Sequence, residues 1–148
     1  MVKRFLSVTL LALVSIAVLG QGGNPLIPAY NRTAPPKGAR LPPILPEDQL
    51  WGPSFRYAVQ KRAYILAAKI DKVLYQQPCY CFCDRSVGHQ SLRSCYESTH
   101  AAHCDACMKE LFYTYQQTTA GKTPAQIRAA IIKGEWQLID LNTAASIE

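Results

Sequence analysis

The sequence contains no cluster of arginine and lysine interleaved with aromatics, so it offers no face for nucleic acid, and its scattered lysines read as a solvated surface. It has no Ser-His-Asp order, no phosphate-binding loop and no carboxylate pair, which leaves hydrolase and transferase chemistry without a basis. Its one long apolar run, Phe5 to Leu19, is interrupted by Ser7, Thr9 and Ser15 and falls short of the roughly 20 residues a membrane span needs, so no stable span is expected once that segment is removed. No cysteine follows the run, which removes the attachment site of an exported lipoprotein. Strand-like alternation of useful length is also missing. The expected fold is therefore mainly α: a small helical domain of three to four helices with a Cys-rich loop.

Three segments are expected. Residues 1–20 read as a signal peptide, with Lys3 and Arg4 as the positive head and Gly20 as a small residue at the cleavage point. Its removal leaves 14 basic residues against 10 acidic, a mild excess. Residues 21–46 hold seven of the ten prolines and few large apolar residues, the composition of an extended tether or of a strap lying over the domain. Residues 47–148 form the Cys/His-rich helical domain. There Ser54 reads as the cap of a helix with the apolar stripe Phe55, Val59, Ala63, Leu66, Ala67 and Ile70. Asp71 opens a short turn to Leu74, and Ser91 to Tyr96 reads as one helical turn. Ser98 or Thr99 caps a long helix over 100–117, closed by Gly121. Thr123, Pro124 and Gln126 form a capping box for a last helix that stops at Gly134, after which Trp136, Leu138, Ile139 and Leu141 are expected to pack back.

All six cysteines and all three histidines fall between Pro78 and Cys107. Cys79, Cys81 and Cys83 alternate, so an extended segment points three sulfurs to one side, whereas a turn gathers them around one ion. Disulfide geometry is strained between residues two apart, which sends their partners elsewhere. On a helix, His100, Cys104 and Cys107 share a face, and His103 with Cys107 makes a second pair one turn apart. The candidate metal ligands are thus Cys79, Cys81, Cys83, Cys95, Cys104 and Cys107, with His100 and His103 as imidazole donors. His89, beside Gly88 in a loop, reads equally well as a hydrogen-bonded side chain. Thiolates and imidazole favour copper(I) or zinc. Met108 stands where a haem attachment site requires histidine, and the second CxxC of a zinc ribbon is missing. Two other readings stay open: thiol redox catalysis, and three disulfides stapling a secreted domain, which six cysteines pair in 15 ways.

The run Tyr75-Gln-Gln-Pro-Cys-Tyr-Cys-Phe-Cys, then Gly88-His89-Gln-Ser-Leu92, Cys95 and His103-Cys-Asp-Ala-Cys107, resembles the bacterial PCYCGC-motif, or CYCXC, proteins over roughly residues 42–136. The resemblance implies an exported bacterial protein, periplasmic or secreted, whose motif is a metal or redox site. Members are often lipoproteins and some carry selenocysteine in the motif, which favours soft-metal or redox chemistry at Cys79, Cys81 and Cys83. Phe82 stands where the PCYCGC form has glycine. The reading reached from the sequence is a soft-metal carrier, buffer or sensor rather than a catalyst, whose expected partners are the metal ion and a metal-handling or redox protein.

Overall fold

The computed structural model describes residues 24–148, so the expected signal peptide lies outside the described residues. Helix is the only regular structure among them. Three helices carry most of it: α1 (Ala58–Lys69), α4 (Asp105–Thr119) and α5 (Pro124–Ile132). Three single turns complete the set: α2 (Asp71–Leu74), α3 (Cys83–Ser86) and α6 (Leu141–Ala144). Short 3-10 turns cover Glu47–Gln49, Leu92–Tyr96, Thr99–His103 and Glu135–Leu138. None of these helices is long and apolar enough to cross a membrane.

Helix α4 is the centre. It buries Cys107, Met108, Leu111, Phe112 and Thr114, and α1 and α5 pack against it. From α1 come Ala63, Tyr64, Leu66 and Ala67, all at 1% exposure or less. Burying a leucine or phenylalanine side chain is worth about 1.5–3 kcal/mol, so Leu66, Leu111 and Phe112 alone outweigh any single surface contact. Met108 is a core residue, as its place in the apolar stripe implies.

Caps decided by local sequence fall where expected. Thr123 accepts from the Gln126 backbone N–H while Gln126 reaches back to the Thr123 N–H, and Pro124 takes the first helical position. At the end of α4, Gly121 adopts φ +78°, with Lys122 N–H bonding to Gln117 O and Gly121 N–H to Thr118 O, the double bond of a Schellman turn.

Three local expectations are corrected. Helix α1 starts after Tyr57, not Ser54, because Gly52 at φ +80° closes a turn with Phe55 N–H on Gly52 O; Gln60 Oε1 then accepts from Tyr57 N–H. The long helix over 100–117 is broken. Thr99–His103 is a 3-10 turn, capped by Ser98 through His100 N–H, and Cys104 is extended at φ −133° and ψ 106°. The break is tertiary: Tyr64 Oη donates to Ser98 O and accepts from Ala102 N–H, and Gln60 Nε2 donates to Ala102 O. These bonds pull the segment off the axis of α4. In the tail, Trp136, Ile139 and Leu141 pack back, but Leu138 is 87% exposed because it ends the 3-10 turn on its outer side.

The proline-rich segment lies over the domain as a strap. Ala29 N–H donates to Asp84 Oδ2, Asn31 Nδ2 to Tyr75 O, Arg93 to Pro42 O, and Leu45 N–H to Tyr96 O. Arg85 also bonds Pro25 O, and the Arg128 guanidinium lies 4.7 Å above the Tyr30 ring.

Candidate metal centre

The chain around the first three cysteines turns. Phe82 N–H bonds back to Cys79 O, and Phe82 sits in the left-handed region at φ 54° and ψ 30°, so of the two arrangements open from the sequence the chain adopts the gathering turn and not the extended segment. A non-glycine residue is rarely found there. Helix α3 begins at the next residue, and Val87 N–H on Cys83 O closes it. The turn is held from α4: Glu110, fully buried, accepts from Tyr80 N–H on Oε1 at 2.7 Å. Leu92 N–H on Gln77 O brings the Cys95 turn alongside, and Tyr96 Oη on Cys107 O ties that turn to α4.

These contacts bring all six sulfurs into one pocket. Cys79 Sγ lies 3.3 Å from Cys81 Sγ and 3.3 Å from Cys107 Sγ, and Cys107 lies 3.6 Å from Cys81. Cys83 and Cys95 are 3.4 Å apart. Every cysteine is a free thiol; Cys79, Cys83, Cys95 and Cys107 are buried, and Cys81 and Cys104 are half-buried. Cys104 caps α4, its sulfur accepting from Cys107 N–H at 3.5 Å.

The histidines divide. Because Thr99–His103 is not part of α4, the expected shared helix face of His100, Cys104 and Cys107 does not form. His100 nevertheless reaches the pocket, within 4.8 Å of donor atoms on Cys81, Cys95 and Cys107 and also of those on Cys83, Cys95 and His89. His103 turns away, and its Nε2 meets Ser54 Oγ at 2.9 Å. His89 joins the cluster, with Nδ1 3.1 Å from Cys83 Sγ and 3.3 Å from Cys95 Sγ.

Charge within the pocket is shared unevenly. Cys81 is held far below the usual thiol range because it accepts from Cys104, then from Cys107, Cys79 and Cys83. Bonds from Cys107 and Cys79 hold Cys95 down at about 4. The donors move the other way: Cys79 is pushed up by its bonds to Cys107 and Cys81, and Cys107 chiefly by its bond to Cys104. Thiolate character therefore collects on Cys81 and Cys95. Burial pushes Glu110 up to about 8, opposed by the Tyr80 N–H and then by the nearby Cys79 thiol, and its Oε2 has no hydrogen-bond partner within normal reach. Sequence reasoning missed Glu110, although its place one turn after Cys107 inside a buried stripe was a usable signal.

Thiolates and imidazoles at 3.1–3.6 Å from one another are a donor set for soft and borderline ions, and Cys/His groups this close can hold a metal ion. No curated protein and no solved structure matches the chain. The family model described as a protein of unknown function with PCYCGC motif matches residues 55–136, more than half of the chain and all of the pocket, and the chain belongs to that family.

Proposed function

We propose that the protein is exported and binds a soft metal ion, copper(I) ahead of zinc, as a carrier, buffer or sensor. The observation that carries this reading is the convergence of six free thiols from two separate stretches of chain on one pocket. Thiolates select copper(I) over harder ions, and each binds only after losing its proton. The half-buried sulfurs of Cys81 and Cys104 form the rim by which an ion enters or is passed to a partner. Export sharpens the argument: in an oxidising compartment thiols this close are oxidised unless a metal or a reducing partner protects them. Protein purified without oxygen should carry metal and six protected thiols, and changing Cys79, Cys81 and Cys83 to serine should release the metal. A metal-free protein with three intact disulfides overturns the reading.

A second reading, thiol-disulfide exchange, is favoured by the acidic, half-buried Cys81. Its thiolate attacks a substrate disulfide and releases one thiol. The Cys107 sulfur, 3.6 Å away, then displaces the other, which leaves the substrate reduced by two electrons and a Cys81–Cys107 disulfide. A dithiol reductant resets the pair. Turnover of a disulfide substrate with such a reductant, lost in Cys81→Ser, separates this reading from the first.

A further inference from the structure

We propose that the pocket is two adjacent metal sites: an all-sulfur triangle of Cys79, Cys81 and Cys107 for copper(I), and a four-donor site of Cys83, His89, Cys95 and His100 for zinc(II). This rests on the metal reading above and divides it.

The shortest contacts, 3.6 Å or less, sort into two sets, although the sets adjoin: Cys79, Cys81, Cys83 and Cys95 lie within 4.8 Å of one another, as do Cys81, Cys95, His100 and Cys107. The first is the sulfur triangle with edges of 3.3, 3.3 and 3.6 Å. Its centre lies about 2.0 Å from each sulfur, against the ~2.3 Å that zinc keeps from thiolate, so a slight opening or an out-of-plane seat accommodates a first-row ion. In the second set, Cys83, Cys95 and His89 Nδ1 are 3.1–3.4 Å apart, and a nitrogen of His100 lies within 4.8 Å of all three donors. The His89 and His100 rings meet edge to face at 4.9 Å, which brings both imidazoles to the same end of the pocket.

The two sets differ in chemistry. Two thiolates and two neutral imidazoles around Zn(II) sum to zero charge, which suits the buried sulfurs Cys83 and Cys95, at 3% and 0% exposure. Four protein donors also leave no open position, the mark of a structural zinc site. Three thiolates around copper(I) keep a net negative charge. That charge is tolerable in the first set because Cys81 is half-exposed and Cys107 sits in the first turn of α4, where the helix dipole favours an anion. The zinc site ties α3 to the Leu92–Tyr96 and Thr99–His103 turns, and the copper(I) site stands at the rim as the exchangeable one.

Cobalt(II) is the probe for the second site. Metal-free, reduced protein titrated with cobalt(II) without oxygen should give the intense visible bands of tetrahedral thiolate coordination, saturating at one equivalent. One equivalent of copper(I), delivered from a competing chelator, should then bind without bleaching them. His89→Ala and His100→Ala should each lose the cobalt(II) bands at least tenfold in affinity while retaining copper(I), and Cys81→Ser should do the reverse; circular dichroism checks that each variant is folded. Bands that survive both histidine changes, or that the first equivalent of copper(I) bleaches, overturn the division and leave copper(I) binding standing. A protein that takes up neither ion overturns both readings.

Discussion

Replacing Glu110 by glutamine should stabilise the metal-free protein at pH 8 and change it little at pH 5. The side chain is fully buried, its Oε1 accepts from Tyr80 N–H at 2.7 Å, and its Oε2 has no hydrogen-bond partner. Burial is the main cause that moves its carboxyl from 4.5 to about 8. An acid whose folded pKa lies above its unfolded value binds a proton on folding. Its contribution is therefore present in full below pH 4.5, is lost as the pH climbs to about 8, and is constant beyond. A rise of about 3.5 pH units at 1.36 kcal/mol each makes roughly 5 kcal/mol, an upper figure for a site into which water relaxes. Glutamine keeps the acceptor for Tyr80 N–H and carries no charge, so it should show none of this loss. The thiols titrate in both proteins, so the difference between them reports Glu110 together with its interactions with Cys79, Cys81 and Cys95. Urea unfolding at pH 5, 6, 7 and 8, with reductant and chelator present, should give two stabilities within ~1 kcal/mol at pH 5 that separate by several kcal/mol at pH 8. Parallel curves would show that Glu110 is not a buried acid and would refute the account of how the Cys79–Phe82 turn is held.

Phe82 is the residue at which this chain departs from the family motif, and its left-handed backbone explains why the motif has glycine there. Phe82→Gly should relieve about 1 kcal/mol of backbone strain and lose contacts of similar worth with the Tyr80 ring and the Arg85 guanidinium, so thermal unfolding should shift little. Phe82→Val, β-branched and without those contacts, should cost about 2 kcal/mol; equal melting of the two variants would count against the left-handed turn. Tyr64→Phe removes the hydroxyl that bonds both Ser98 O and Ala102 N–H, and should cost about 1–3 kcal/mol in urea unfolding together with weaker cobalt(II) binding, because the turn carrying His100 loses its anchor. A stability loss below ~0.5 kcal/mol would show that the break at Cys104 has another cause.

Much of this molecule is legible where neighbours in sequence decide the outcome. The Thr123 capping box, the Gly121 stop and the apolar stripe of α1 follow from residues within one turn of each other. The break at Cys104 does not, since 99–103 reads as the start of a helix until Tyr64 and Gln60, some 40 residues earlier, pull it aside. The same holds at the site. Spacing identified which sulfurs converge and missed how the imidazoles divide: once the helix face dissolves, His103 goes to Ser54, and the loop histidine His89 takes a place between Cys83 and Cys95.

That division has a consequence for how the pocket fails. Cys104 and Cys107 are placed by the start of α4, but the other four cysteines are not positioned by their own neighbours alone. The first triplet hangs on the Glu110–Tyr80 bond, the Cys95 turn on Gln77 and Tyr96, and His100 on Tyr64. Each of these ties crosses between chain segments and ends on a backbone group, so each fixes where a donor stands without itself supplying a sulfur or imidazole. Substituting Glu110, Tyr96 or Tyr64 should therefore alter donor placement while the count of thiols and imidazoles stays the same, whereas the Gln77 tie runs through its backbone carbonyl. In this chain the motif supplies the donor atoms, and a few buried polar side chains outside it set whether those donors face one another.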